Sequence, residues 1–223
     1  MREHDLNLFS VPVRRGFVVP NADQYWQTHE YLHRLFRQCS KGRWALETGK
    51  STAELQGGDA LFQNELFDWL TLPILNDVKD YWTNTLHYRK DYHMYIDSMW
   101  ANLHGNGDHT GLHAHVNGRG KSHVSVVYYL TRDVNGGDIQ FANPLEDILR
   151  MCPLDQPYDD WSRSRGHSYD YYTVPTVRSD YIIFPSWLKH RTLPNNNSER
   201  IAISINFSGY PLDPTEGEFD EVK

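Results

Sequence analysis

Cysteine and long apolar runs are both scarce in this chain of 223 residues. Cys39 and Cys152 are its two cysteines, too few for a disulfide framework. No stretch approaches the ~18 consecutive apolar residues of a membrane helix. The first residues, MREHDLNLFSVPVRRG, lack the apolar core of a signal peptide. We therefore expect a cytoplasmic protein that does not act at a membrane.

An excess of positive charge is also absent. The 22 Lys and Arg residues are outnumbered by 29 Asp and Glu residues, which gives a formal net charge of −7. This balance argues against nucleic acid as the main partner. With 39% hydrophobic and 23% charged residues, the composition is that of a globular protein, and its length predicts one domain over residues 1–223. The oligomeric state stays open.

The first part of the chain, residues 1–91, carries mostly helical patterns. Apolar residues there recur at three- and four-residue spacing, which is typical of amphipathic helices. The predicted elements are a strand at 8–19 interrupted at Pro12, a helix from Asn21 or Asp23 to about Cys39, a loop at 43–58, and a helical region at about 60–86 that Pro73 kinks or divides.

The second part, residues 92–210, carries short alternating runs separated by glycine and asparagine turns. About eight such strands are typical of a sandwich or jelly roll. Residues 211–223 are expected to form a tail. Residues 143–168 show no strand pattern, and this stretch is either a solvated insertion or a lid over a polar substrate.

Four residues of this β-rich part stand in an order that indicates a metal site. His113 and His115 precede a strand-like run, His190 follows another, and Arg200 opens a third, ten residues after His190. Alternate residues of an extended chain point the same way, so the first two imidazoles can converge. Imidazole suits iron, copper, nickel and zinc. The arginine suits an anionic cosubstrate beside such a metal.

These residues resemble those of the iron(II)- and 2-oxoglutarate-dependent oxygenases, with a spacing similar to that of hypoxia-sensing prolyl hydroxylases. Closer still, the chain resembles a family of bacterial and phage 2-oxoglutarate oxygenases. The resemblance covers most of residues 92–208 and touches the N-terminus. It is carried by Leu8-Phe9, Trp100-Ala101-Asn102, His113-Ala-His115, Tyr128-Tyr129-Leu130, Gly136-Gly137, the segment Phe-Pro-Ser-Trp-Leu-Lys-His at 184–190, and Glu199-Arg200-Ile201.

The resemblance implies a mainly β protein with flanking helices, a double-stranded β-helix (jelly roll, cupin-like) with an N-terminal helical region. It implies Fe(II), 2-oxoglutarate and O2 as cofactor and cosubstrates. The implied reaction is hydroxylation of an unactivated C–H bond in a small metabolite, amino acid or peptide residue, with release of succinate and CO2. Desaturation or ring closure would use the same centre.

The resemblance also implies roles for particular residues. His113, His115 and His190 would bind the metal, and Arg200 with Tyr129 would bind the distal carboxylate of 2-oxoglutarate. Candidate residues of the substrate pocket are Asn102, Trp187, Arg163 and Arg165.

The chain departs from the family pattern at His115, which stands where the usual site has a carboxylate. A neutral third imidazole leaves the site one negative charge short, so iron should bind more weakly. Three ligand sets stay open: His115 as third ligand, Asp108 as third ligand, or two protein ligands alone. Two other functions also stay open. One is a three-histidine cupin-type dioxygenase that does not use 2-oxoglutarate, and the other is a non-catalytic binding module on the same fold.

Overall fold

The computed structural model describes residues 10–44, 46–115, 122–134, 136–145 and 171–212. Within these ranges nine strands form two antiparallel sheets, and no helix is long and apolar enough to cross a membrane. The helices are α1 (Ala22–Phe36) and α2 (Asp68–Asp80). The strands are β1 (Arg14–Phe17), β2 (Lys50–Ser51), β3 (Tyr92–His104), β4 (Val124–Thr131), β5 (Ile139–Ala142), β6 (Tyr171–Val174), β7 (Asp180–Pro185), β8 (His190–Thr192) and β9 (Arg200–Pro211).

Helix α1 begins at a capping box. The Asn21 side chain accepts from the Gln24 amide, and the Gln24 side chain accepts from the Asn21 amide, both at 2.9 Å. These bonds satisfy two groups that the first helical turn would leave unpaired. The predicted start at Asn21 is therefore confirmed, whereas the helix ends at Phe36 rather than near Cys39.

The helical region predicted at 60–86 is confirmed but is more varied than expected. Short 3₁₀ turns at Leu61–Gln63 and Glu65–Phe67 lead into α2, and a π turn at Tyr81–Thr85 follows it. Pro73, expected to kink or divide this region, does not divide it, because α2 continues through it. A proline removes one backbone hydrogen bond. The helix also buries four side chains in the core, which stabilises it independently of that bond: Leu70, Thr71, Ile74 and Val78.

The stretch 43–58, predicted as a loop, also contains regular structure. Lys50 and Ser51 form β2, which pairs with Leu103 and Asn102 of β3 at the edge of the larger sheet. A 3₁₀ turn at Thr52–Glu54 follows. A two-residue strand is too short to produce a detectable alternation, so the sequence could not indicate it.

The larger sheet has the strand order β1-β7-β4-β9-β3-β2 and divides its side chains between two cores. Its outer face packs on the helices and buries one alternate set of residues, which includes Val126, Tyr128, Ile203 and Ile205. The other set points inward, toward the smaller sheet β6-β5-β8. Because side chains alternate along a strand, the inner face receives every second residue of β3, β4 and β9.

The two sheets face each other across a smaller core. Phe141 of β5 and Phe184 of β7 lie with their ring centres 5.0 Å apart, in a T-shaped arrangement. The predicted mainly β architecture with helices on one side is thus observed. From Tyr92 onward the described residues form seven strands, β3 to β9, where about eight were expected. Most of the candidate lid at 143–168, Leu8-Phe9 and the tail from residue 213 lie outside the described residues. The single domain over 1–223 stays a prediction.

Candidate active site

The three histidines predicted as metal ligands meet between the two sheets. His113 and His190 face each other in a β-bridge, where each amide donates to the other's carbonyl, at 2.9 and 2.8 Å. His115 lies two residues further along, so its ring returns to the same side. The Nε2 atoms of His113 and His115 are 3.0 Å apart. One ligand atom from each of the three residues lies within 4.8 Å of the others.

Each of these rings is oriented by an oxygen that accepts a hydrogen bond from its Nδ1 atom. The acceptors lie within 2.9 Å: the carbonyl of Gly111 for His113, the carbonyl of Leu188 for His190, and Oδ1 of Asn206 for His115. Since a neutral imidazole carries one proton, a proton on Nδ1 leaves a lone pair on Nε2. Such a hydrogen bond fixes the orientation of most metal-binding histidines. Three Nε2 lone pairs therefore point into one space.

Burial keeps the three imidazoles neutral. It lowers the pKa of His190 well below its ordinary value, and the charged forms of the other two histidines would lower it further. Burial likewise lowers the pKa of His113, and it lowers that of His115 to about 4. A metal binds neutral imidazole, so at neutral pH the cluster is already in the form that accepts one.

The donor geometry fits a divalent metal ion. Two nitrogens at adjacent positions of an octahedral ion, each about 2.1 Å from it, lie about 3.0 Å apart. The Nε2 atoms of His113 and His115 have this separation. At this distance the two nitrogens share either a proton, in an N–H···N hydrogen bond, or a metal cation. Three protein nitrogens would leave three octahedral positions for other ligands.

Asp108, the alternative third ligand, is engaged elsewhere. One of its carboxylate oxygens accepts from the Gly105 amide at 2.9 Å, and the other pairs with Lys41 at 2.8 Å. Among the described residues, the ligand group around the histidines contains no carboxylate. Of the three ligand sets considered, the arrangement favours the one with His115.

Arg200 and Tyr129 lie on the inner face of the larger sheet and are both buried. The guanidinium carbon of Arg200 is 5.1 Å from the centre of the Tyr129 ring. Neither the Tyr129 hydroxyl nor Nε of Arg200 has a hydrogen-bond partner, and no carboxylate of the described ranges forms an ion pair with this arginine. Burial lowers the pKa of Arg200. Because a buried charge is costly without a partner, this pair of side chains is suited to an anionic ligand.

A buried chain of hydrogen bonds fixes the position of the Arg200 guanidinium. Its Nη1 atom donates to Nδ1 of His104 at 2.9 Å. The Nε2–H of His104 then donates to Glu47, whose second oxygen accepts from the Thr110 hydroxyl at 2.7 Å. Sequence reasoning missed His104 and Glu47. Strand alternation was the available signal for His104, because it shares the inner face of β3 with Asn102.

The histidines, Arg200 and Tyr129 all line one cavity of about 580 Å³. Asn102, predicted to contact substrate, also lines it, and its side-chain oxygen is buried without a hydrogen-bond partner. Trp187 is 45% exposed and is not part of the lining. Arg163 and Arg165 lie outside the described residues. The cavity thus combines a metal-binding geometry with an unpaired cation.

Comparison with known families agrees with this geometry. Residues 98–206 match the sequence model of a family described as "Putative 2OG-Fe(II) oxygenase". The matched segment contains the three histidines, Arg200 and Tyr129. Over these residues, just under half of the chain, the sequence is similar to the 2OG-Fe(II) oxygenases, which confirms the resemblance found in the sequence. The three histidines and the pair of Arg200 and Tyr129 fit Fe(II) and 2-oxoglutarate as cofactor and cosubstrate.

Solved structures with a similar fold include oxygenases of several kinds. A Pseudomonas putida prolyl-4-hydroxylase has a TM-score of 0.54 at 15% identity, covering 89% of this chain and 92% of its own. The epimerase SnoN, in complex with Fe3+, alpha ketoglutarate and nogalamycin RO, has a TM-score of 0.59 at 12% identity, with coverages of 96% and 89%. HygX from Streptomyces hygroscopicus, with nickel and 2-oxoglutarate bound, has a TM-score of 0.58 at 11% identity, with coverages of 89% and 83%.

These likenesses confirm the predicted double-stranded β-helix. At such identities they establish the fold alone. The comparison with curated protein sequences gives no match.

Proposed function

We propose that this chain is a 2OG-Fe(II) oxygenase that hydroxylates an unactivated C–H bond of a small metabolite, an amino acid or a peptide residue. The observation that carries the proposal is the presence, in one cavity, of three converging imidazole nitrogens and a buried arginine without an anionic partner. Bound Fe(II), with 2-oxoglutarate and O2, supplies the oxidation of the C–H bond and releases succinate and CO2.

In this proposal His113, His115 and His190 hold the iron. Arg200 binds the distal carboxylate of 2-oxoglutarate, because its planar guanidinium can make two parallel hydrogen bonds to a carboxylate. The unpaired hydroxyl of Tyr129 donates a further bond to the same group. The hydrogen bond from Arg200 to His104 keeps the guanidinium in position before the cosubstrate arrives.

The rest of the cavity is available for the substrate. The Trp100 ring lies 5.7 Å from the His115 ring and forms an apolar wall beside the proposed metal. The unpaired oxygen of Asn102 is an acceptor for a polar substrate group. A volume of about 580 Å³ is suited to a small molecule or to one residue of a peptide. Both classes occur among proteins of this fold. SnoN was solved with the small molecule nogalamycin RO, and a Trichoplax adhaerens prolyl hydroxylase (TM-score 0.56) was solved with a peptide fragment of hypoxia inducible factor.

The proposal is tested by measuring succinate formation from 2-oxoglutarate by the Fe(II)-loaded protein in the presence of O2. Free amino acids, proline-containing peptides and polar metabolites are screened, and the true substrate should stimulate succinate release. Its product should gain one oxygen atom by mass spectrometry. Loss of two hydrogens would instead identify a desaturase. No Fe(II)-dependent succinate under any condition would contradict the proposal and leave the cupin-type dioxygenase and the non-catalytic binding module as the functions to test.

A second experiment tests the three-histidine ligand set. We expect His115→Ala to bind Fe(II) more weakly than His115→Asp, because aspartate restores a donor and a negative charge at that vertex. Asp108→Ala should bind Fe(II) as the unmodified protein does, since Asp108 pairs with Lys41 and Gly105 instead. Anaerobic titration with Fe(II) measures all three. If Asp108→Ala lost iron while His115→Ala kept it, the carboxylate would be the third ligand.

A further inference from the structure

A second group of metal-binding side chains lies outside the cavity. His29 and His33 belong to α1, and Glu199 directly precedes β9. Nε2 of His29 is 3.0 Å from one oxygen of Glu199, and Nε2 of His33 is 2.9 Å from the other. The ligand atoms of the three residues all lie within 4.8 Å of one another. Two imidazoles and a carboxylate thus share one point on the outside of the fold.

The helix brings the two imidazoles together. Residues four apart in an α-helix lie on the same face, and the ring centres of His29 and His33 are 4.4 Å apart. Nε2 of His33 is buried, yet its contact with Glu199 lacks the geometry of a hydrogen bond. The nitrogen is therefore close to the carboxylate without donating to it, which is an arrangement that a shared cation would satisfy.

Aromatic side chains surround the two histidines. The Tyr25 ring stacks on His29 at 5.5 Å, Trp26 approaches the same imidazole at 5.8 Å, and Phe36 lies 6.2 Å from the His33 ring. An apolar surrounding limits the access of water and strengthens electrostatic contacts at a metal site. The side chains of the three ligands keep between 20% and 31% of their surface exposed, so an ion can reach them from solvent.

We propose that His29, His33 and Glu199 form a second site for a divalent transition metal, with Zn2+ as the best fit. Zn2+ binds sets of two histidines and one glutamate and leaves a fourth position for water. None of the three residues lines the cavity, so the site is separate from the iron centre and does not depend on the proposed reaction.

The position of Glu199 gives this site a structural role. Its neighbour in the chain is Arg200, and α1 packs on the outer face of the sheet to which β9 belongs. A metal bound to the two histidines of α1 and to Glu199 would link the helix to the start of β9. Because a ligand of the folded state alone stabilises it by mass action, Zn2+ should raise the unfolding temperature through this site.

The test is a Zn2+ titration against a chromophoric chelator in the full-length chain carrying His190→Ala, which disables the cavity site. This protein should bind one Zn2+. Adding His33→Gln or Glu199→Gln should weaken that binding by more than about 100-fold, and adding His93→Gln, an exposed histidine outside both clusters, should leave it unchanged. Zn2+ should raise the unfolding temperature of the His190→Ala protein and of the same protein with His93→Gln. It should not raise that of the proteins with His33→Gln or Glu199→Gln.

The same stoichiometry can be measured without the cavity substitution. The unmodified chain should bind two Zn2+ and the His33→Gln variant one, with unchanged far-UV circular dichroism. Equal Zn2+ affinity with and without His33→Gln, in either background, would overturn the second site, and the cluster would then be a simple ion pair. If His190→Ala alone lost Zn2+ and His33→Gln kept the full stoichiometry, the cavity would hold the metal and the second site would be overturned.

Discussion

Replacing His190 by alanine should abolish tight iron binding and the turnover of 2-oxoglutarate. The side chain is buried, its Nδ1 is fixed by the Leu188 carbonyl, and its Nε2 faces the other two imidazoles. Its chain neighbours Lys189 and Arg191 are cationic and cannot replace the lost donor. Substituting a group that merely orients a ligand typically costs 10- to 100-fold in metal affinity, so loss of the ligand itself should cost more than about 100-fold.

Anaerobic Fe(II) titration and succinate release measure this effect. His93→Ala serves as the matched control, because His93 is an exposed histidine outside the cluster and should bind iron as the unmodified chain does. Full iron occupancy and normal turnover in His190→Ala would show that the metal lies elsewhere.

Strand alternation accounts for the inward position of residues whose roles the family resemblance implied. In β9 the residues Ile201 and Ile203 face the helices, so Arg200 and Ala202 must face the interior. The same rule turns Tyr129 inward, between Tyr128 and Leu130 on the helix side. Patterns of this kind are local in the sequence, and they fix which side of a sheet a residue occupies.

Contacts between distant segments could not be predicted in this way. Glu47 belongs to a stretch without periodicity, and it meets His104 through a pairing between 47 and 110 that no local pattern indicates. Trp187, a candidate pocket residue because of its place in a family-like segment, has a half-exposed side chain outside the lining of the cavity, and its contact with substrate stays a prediction. The position of the Asp108 carboxylate likewise depends on a distant residue, because Lys41 is its partner.

Replacing Arg200 by alanine should raise the Michaelis constant for 2-oxoglutarate strongly and leave Fe(II) binding unchanged. Removing one partner of a buried charged hydrogen bond costs about 2 to 5 kcal/mol, so a rise of about 30-fold or more is expected. The Michaelis constant of Arg200→Lys for 2-oxoglutarate should lie between those of the unmodified enzyme and Arg200→Ala, because lysine keeps the charge and loses the planar guanidinium. Glu47→Gln should have a smaller effect than Arg200→Ala, since the guanidinium that binds the carboxylate is still present.

A cosubstrate lacking the distal carboxylate separates this role from a general loss of structure. The unmodified enzyme should prefer 2-oxoglutarate over 2-oxobutanoate by a large factor, because 2-oxobutanoate has no group for Arg200 to bind. In Arg200→Ala that preference should largely disappear, while Fe(II) affinity stays at the unmodified value. A merely misfolded variant would lose iron and both cosubstrates together. If Arg200→Ala kept the full preference for 2-oxoglutarate, another cation would bind the distal carboxylate, and the buried guanidinium would serve only to hold His104 and Glu47 in place.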